Sequence, residues 1–285
     1  MLKSRVEDTN FYSKNTIRIG EKLLNLSQPK IMGIINITDD SFYKASRFNN
    51  LKSVIQEVEK QIKNGVSIID IGGSSTQPGA KKKSVEEEIS KVIPVIDVIK
   101  KEFPEIIISI DTFYGKVAQE AIEHGVHIIN DISGFSIDPK MLKTLEKYPV
   151  PYILTHIRGT PETMQEQTHY ENIFKEMCLY FSKKMKILNS IGIHDILLDP
   201  GFGFAKTTEQ NYQILDHLEN FHFLNCPLIV GLSRKSMVYK KLNSSPEEAL
   251  NGTTILNTVA LMKGAKIIRV HDVKEAEEII RLLNY

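Results

Sequence analysis

Eight short apolar runs, each followed by a stretch of helical periodicity, constrain this chain more than any other feature. They are Ile31–Asn36, Ser67–Ile71, Ile106–Ile110, His127–Asp131, Tyr152–Thr155, Ile196–Leu198, Leu228–Gly231 and Lys266–Val270. Runs this short and this apolar are buried parallel strands. Between them, Leu51-Val54-Ile55-Val58-Ile62 and Val85-Ile89-Val92-Ile93-Ile96-Ile99 repeat with the spacing of a core-facing helical stripe. Gly65, Gly125, Gly192 and Gly264 fall just past such stretches, where a left-handed C-cap is expected. The alternation predicts an α/β fold with a parallel sheet and crossover helices, and eight units predict a (β/α)8 TIM barrel. Thr16–Ile19 and Leu23–Leu26, joined by Gly20-Glu21-Lys22, predict a short N-terminal β-hairpin plugging or flanking the bottom. An open doubly wound sheet is the alternative, but it more often carries a glycine-rich first turn, and Ile34-Ile35-Asn36-Ile37-Thr38 has none. The 285 residues fit one barrel domain over 1–285, with an N-terminal tail of about residues 1–14.

A net charge of +1 gives no reason to expect nucleic acid or an acidic membrane surface as a partner. Cys178 and Cys226 match no metal-ligand spacing and read as reduced thiols of a cytoplasmic protein. The N-terminus has no long apolar stretch, so neither a signal peptide nor a membrane span is expected.

The strands end in polar residues: Asn36, Asp70, Asp111, Asn130, His156, Asp199, Arg234, Arg269 and His271. In a barrel these ends converge on one face, where active sites form. Singly, Asp70, Asp131 and Asp272 read equally well as helix caps, and Asp111 and Asp199 as turn residues. Arg269 and His271 alternate along one strand and so share the lumen face, where an unpaired arginine would be costly; an anion is their natural partner. Ser233-Arg234-Lys235-Ser236 adds cationic donors at the neighbouring strand end. The loops Asp39–Lys44 and Gly72–Gly79 read as lids or, equally, as mobile surface loops.

Together these segments resemble the dihydropteroate synthase family of pterin-binding barrels. The resemblance rests on Ile31–Thr38, Asp40-Ser41-Phe42, Ile68–Gly73, Ser109–Thr112, Ile129–Gly134, His156–Gln165, Leu198–Thr207, Gly231–Ser236 and Arg269–Asp272. It implies a transferase that joins 6-hydroxymethyl-7,8-dihydropterin pyrophosphate to p-aminobenzoate, with Mg²⁺ required, in a sulfonamide-target family whose members are usually homodimers. It further implies Asp111, Asn130, Asp199 and Lys235 on the pterin. Asn36, Arg269 and His271 would hold the diphosphate, with Lys44 and Thr76 as further candidates, and Asn36 would lie on its Mg²⁺ side. Phe204, Lys235 and Ser236, with Pro78 a further candidate, would border p-aminobenzoate. The catalytic set so implied is Asn36, Lys235, Arg269 and His271.

The chain departs from the family pattern at three places. Lys44 stands where loop one usually has an acid, Gln77 where loop two usually has an arginine, and Thr155 where a methionine usually lines the pterin pocket. The first two changes invite a compensation in which Lys44 or Arg47 supplies the cation that Gln77 does not. They also leave two other readings open: a non-catalytic pterin-binding homologue, and a corrinoid-dependent methyltransferase using a methylated pterin. Neither would use a diphosphate subsite.

Overall fold

The computed structural model describes residues 14–37, 47–73 and 83–284. The expected tail lies outside them except for Lys14, whose Nζ is tied to Asp195 at 2.7 Å and to the His194 carbonyl at 2.8 Å.

Strands β1 (Thr16–Ile19) and β2 (Lys22–Asn25) pair as an antiparallel hairpin. The barrel strands follow as β3 (Lys30–Asn36), β4 (Ile68–Gly72), β5 (Ile107–Asp111), β6 (Ile128–Asp131), β7 (Tyr152–Thr155), β8 (Ile196–Asp199), β9 (Ile229–Val230) and β10 (Ile267–Val270). All pair in parallel, in the order β8-β7-β6-β5-β4-β3-β10-β9. A parallel bridge between Leu198 and Leu228 brings the two ends together and closes the ring. The sequence expectation of a closed barrel, and not an open sheet, is met.

Helices α1 (Arg47–Lys63), α2 (Val85–Glu102), α3 (Gly115–Glu123), α4 (Lys140–Lys147), α5 (Ile173–Ser190), α6 (Thr208–Asp216), α7 (Ser236–Tyr239), α8 (Leu250–Met262) and α9 (Val273–Leu283) lie among the described residues. The α2 stripe turns Val92, Ile96 and Ile99 into the core, and a reciprocal Ser84–Glu87 capping box starts the helix. The four glycines expected past the helices all take positive φ, from +85° to +95°.

Because side chains alternate along a strand, each barrel strand splits its residues between two cores. Outward residues such as Ile69, Ile71, Ile110, Leu154 and Leu198 pack with the helices. Inward residues Met32, Ile68, Ile128, Ile153, Leu197, Ile229 and Ile267 form a second cluster at the bottom of the lumen. Ile17, Ile19 and Leu26 join that cluster, so the hairpin plugs the barrel floor; burying each such side chain contributes about 2 kcal/mol. With the floor sealed, a ligand enters only from the C-terminal ends of the strands. Among the described residues no helix is long and apolar enough to cross a membrane.

Candidate active site

Two residues beyond the apolar floor, the same inward faces turn polar: Asp70, Ser109, Asn130, Thr155, Asp199 and Arg269 follow Ile68, Ile107, Ile128, Ile153, Leu197 and Ile267. The register sets Asp70 beside Ser109, Asp111 beside Asn130 and Thr155 beside Asp199. Arg269 reaches across from β10. Its Nε donates to Asp70 Oδ2 at 2.6 Å and its Nη2 to Asp111 Oδ2 at 2.7 Å. Asn130 Nδ2 donates to the same Asp70 oxygen at 3.0 Å. Four residues from four strands thus form one buried polar network.

The charges within it are unequal. Burial pushes the Asp111 carboxyl above its ordinary range, and Arg269 opposes that shift. Burial also disfavours the Arg269 charge, but Asp70 and Asp111 outweigh it and hold the guanidinium more firmly protonated than usual. Within the structure Arg269 is paired with two lumen carboxylates, Asp70 and Asp111. For Asp70, which the sequence leaves open between a helix cap and a site residue, the structure shows a lumen position. It caps nothing, since α2 is capped by Ser84. Its signal was present in the sequence, because a carboxylate between Ile69 and Ile71 on a strand with Ile68 inward must itself point inward.

The other two aspartates also differ from the capping expectation. Asp131 accepts from the Ser133 and Phe135 amides at 2.8 and 2.7 Å and from Tyr152 Oη at 2.7 Å. Asp272 occupies the N-cap position of α9 without a capping bond. Its two oxygens instead take Arg234 Nε and Nη2 at 2.9 and 2.8 Å.

A second wall comes from the ends of β8 and β9. Asp199 Oδ1 accepts from the Gly201 amide at 2.7 Å. Lys235 Nζ donates to the Phe202 carbonyl and stands 4.6 Å above the centre of the Phe204 ring. Burial lowers the Lys235 ammonium to about 8 against the pull of Asp199. Burial raises Asp199 in turn, against the pull of Lys235. Gly231 keeps this corner open: a Cβ there would stand 3.9 Å from both Lys235 Nζ and Arg269 Cβ. Ser236 is the half-buried first residue of α7.

Asn36 and His271 are exposed at the rim, at the end of β3 and just after β10. The His271 ring nitrogen Nδ1 lies 3.0 Å from Ser233 Oγ, a partner the sequence did not single out. Thr155 is fully buried, and its hydroxyl has no hydrogen-bond partner. Lys44, Thr76, Gln77 and Pro78 lie outside the described residues. No group of three or more His, Cys, Asp or Glu suited to a metal occurs among the described residues.

Sequence reasoning also missed Lys206. This lysine is 4% exposed, behind the turn that carries Phe202 and Phe204. Its Nζ contacts the Gly201 and Phe204 carbonyls at 3.0 and 2.9 Å and His156 Nδ1 at 3.0 Å. Its position after Gly-Phe-Gly-Phe-Ala is visible in the sequence, but its burial is a product of the loop's path.

Comparison with known proteins agrees with this geometry. Residues 32–271 match the family model described as pterin binding enzyme. Dihydropteroate synthase of Escherichia coli K12 is 44% identical over 262 residues, 91% of this chain and 92% of that protein. Dihydropteroate synthase of a Synechocystis strain is 39% identical over 98% of this chain and 97% of that protein. The Yersinia pestis dihydropteroate synthase solved with a sulfonamide drug complex superposes with a TM-score of 0.88 at 38% identity, covering 94% of this chain and 98% of that one. With a sealed barrel, a polar lumen and relatives matched along nearly their whole length, the chain belongs to the dihydropteroate synthase family of pterin-binding enzymes.

Proposed function

We propose that this protein is an alkyl-transferring enzyme of folate biosynthesis. It would condense 6-hydroxymethyl-7,8-dihydropterin pyrophosphate with p-aminobenzoate to give 7,8-dihydropteroate and pyrophosphate. The observation that carries this reading is the lumen lined by Asp70, Asp111, Asn130, Asp199, Lys235 and Arg269 above a sealed apolar floor. A flat heterocycle with an amide and amino edge needs such a ring of donors and acceptors. Asp199 would accept from the pterin N3–H and 2-amino group, Asp111 and Asn130 would address the remaining ring nitrogens, and Lys235 the carbonyl side.

In the reaction the bond from the pterin methylene carbon to the diphosphate oxygen breaks, and its electron pair leaves with the diphosphate. The amine nitrogen of p-aminobenzoate then gives its lone pair to that carbon and loses a proton. No side chain need form a covalent bond, so catalysis rests on electrostatic stabilisation of the leaving diphosphate and the developing cation. His271 and Asn36 at the rim would meet the diphosphate. Arg269 would join them through Nη1, which makes no hydrogen bond to a described residue. Phe204, Lys235 and Ser236 would border p-aminobenzoate, with Pro78 from outside the described residues.

A magnesium ion fits this rim in one manner. Asn36 offers a single exposed amide oxygen with no acidic cluster among the described residues, so the remaining ligands would be phosphate oxygens and water. Bound there, the ion supplies charge neutralisation to the leaving diphosphate. For the altered lids, we take Lys44, with Thr76, to serve the diphosphate in place of the family arginine at Gln77; unaltered kinetics in Lys44→Ala would exclude this. The protein is taken to act in the cytoplasm as a homodimer. Exposed Ile255 and Met262 on α8 favour such an assembly, which sedimentation would check.

The test is release of pyrophosphate from the pterin diphosphate with Mg²⁺ and p-aminobenzoate. Stoichiometric dihydropteroate is expected. Tight pterin binding without release would identify a binding protein instead.

A further inference from the structure

Lys206 is the most deeply buried ammonium in the described part of the barrel that touches none of the residues placed on substrate by its side chain, apart from the backbone of Phe204. Its surroundings are specific. The turn after β8 alternates handedness, with φ of +68° at Gly201, +82° at Gly203 and +50° at Ala205. The Gly201 and Phe204 carbonyls both meet Nζ, at 3.0 and 2.9 Å. The third bond goes to His156 Nδ1 at 3.0 Å, just beyond β7. An ammonium has three hydrogens, which match these three close acceptors, and the His156 carbonyl lies further off at 3.5 Å. His156 is packed among Tyr170, Tyr180 and Phe181, with ring centres 4.9 to 6.1 Å away. Burial and the adjacent Lys206 charge hold it well below its ordinary pKa, as a neutral ring that can accept at Nδ1.

Lys235 touches the same turn through the Phe202 carbonyl and the Phe204 ring. The buried Lys206 therefore holds, through the Gly201 and Phe204 carbonyls, the segment that Lys235 also meets. Other groups brace the same turn from the loop after β7: Tyr170 Oη donates to the Ala205 carbonyl at 2.9 Å, and Gln165 Nε2 to the Gly203 carbonyl at 3.1 Å. Burial lowers the Lys206 ammonium to about 7; of the charged groups acting on Nζ, Asp199 favours the ammonium, and Lys235 and Arg158 oppose it.

We propose that Lys206 is a positioning residue whose ammonium, anchored on His156, shapes the Gly201–Phe204 turn and thereby sets the affinity of the site for its amine substrate. The proposal rests on the reading of Phe204 and Lys235 as the border of the p-aminobenzoate position. A turn with three positive φ residues and converging carbonyls has no reason to keep that form once the cation at its centre is gone. Phe204 would then leave its place under Lys235. The pterin wall at Asp111, Asn130 and Asp70 belongs to other strands and would keep its geometry.

The experiment compares native protein with Lys206→Met, which keeps the apolar stem and removes the three bonds. Hydrogen exchange of the peptide spanning 199–207 is measured without substrate, and both KM values are measured during turnover. Faster exchange confined to that peptide is expected. The KM for p-aminobenzoate should rise at least about tenfold, while that for the pterin diphosphate changes less than about threefold. Unchanged exchange, or a lowered melting temperature with both KM values unaltered, would overturn the proposal and leave Lys206 merely structural.

Tyr170→Phe is the second variant, because it loosens the same turn by one bond without emptying a buried charge site. It should move the p-aminobenzoate KM the same way by a smaller factor, and no movement in either variant would also overturn the proposal. If native protein shows no turnover, the activity reading has failed. The turn-shaping claim is then judged on exchange alone, where unchanged protection in Lys206→Met still refutes it.

Discussion

Arg269 Nη2 lies 2.7 Å from Asp111 Oδ2, with β3 and β4 between their strands, while Nε of the same guanidinium lies 2.6 Å from Asp70. The arginine is a hub of the lumen wall as much as a ligand for phosphate. Removing it would leave two buried carboxylates facing each other. Arg269→Met is therefore expected to cost about 3–5 kcal/mol of stability, as for other broken buried pairs. Urea denaturation checks this, and a loss under 1 kcal/mol would mean the network does not hold charge as described.

Gly201 and Gly231 make a contrasting pair. At Gly201 φ is +68° and a Cβ would lie 2.1 Å from the His156 carbonyl oxygen, so Gly201→Ala should lose at least about 2 kcal/mol and disturb the turn. At Gly231 a Cβ would make only ordinary contacts, at 3.9 Å, with Lys235 Nζ and Arg269 Cβ. Gly231→Ala should fold with a melting temperature near native and yet raise the KM for the pterin substrate by about tenfold, because the methyl fills ligand space. Equal effects of the two substitutions on stability would contradict the placement of Gly231.

The pH dependence has opposite signs for stability and for binding. Burial lowers Lys235 to about 8 and Lys206 to about 7 from an ordinary value of 10.5. Between those values and 10.5 the unfolded chain holds more protons at these groups than the folded one, so their contribution to stability rises with pH across that window. Below it both states are protonated, and the cost of burying the charge is fully present. Ligand affinity that depends on the Lys235 ammonium should instead fall as pH passes about 8. KM profiles of native protein and Lys235→Met would show the step present in the first and absent in the second.

Asp272 holds Arg234, whose backbone sits at φ +54° directly before Lys235. Asp272→Ala is expected to lose about 1.5–3 kcal/mol, since the hydrogen bonds removed are charge-assisted. It should also lower turnover without changing the residues that meet substrate. Stability loss with native turnover would show that Lys235 is held by α7 alone.

The fold was legible because its signal is periodic. Apolar runs recur with helical stripes between them, and Gly65, Gly125, Gly192 and Gly264 punctuate the helix ends with positive φ. The strand-end residues were legible as a set for the same reason: period two fixes which of them face inward. Their pairing was not. Arg269 and Asp70 are 199 residues apart in sequence, and only closure of the ring makes them neighbours. Asp272 read as a cap because a strand-to-helix junction looks alike whether the carboxylate meets an amide or an arginine. Lys206 escaped notice because its burial depends on left-handed backbone at Gly201, Gly203 and Ala205, which composition does not reveal.

The most direct measurement is pyrophosphate release from 6-hydroxymethyl-7,8-dihydropterin pyrophosphate with p-aminobenzoate and Mg²⁺, in native protein and in Asp199→Ala. Native protein should release one pyrophosphate per dihydropteroate formed, and the variant should lose at least about a hundredfold in kcat/KM, roughly 2.7 kcal/mol of transition-state binding. Native protein that binds the pterin tightly but releases no pyrophosphate would contradict the proposed reaction.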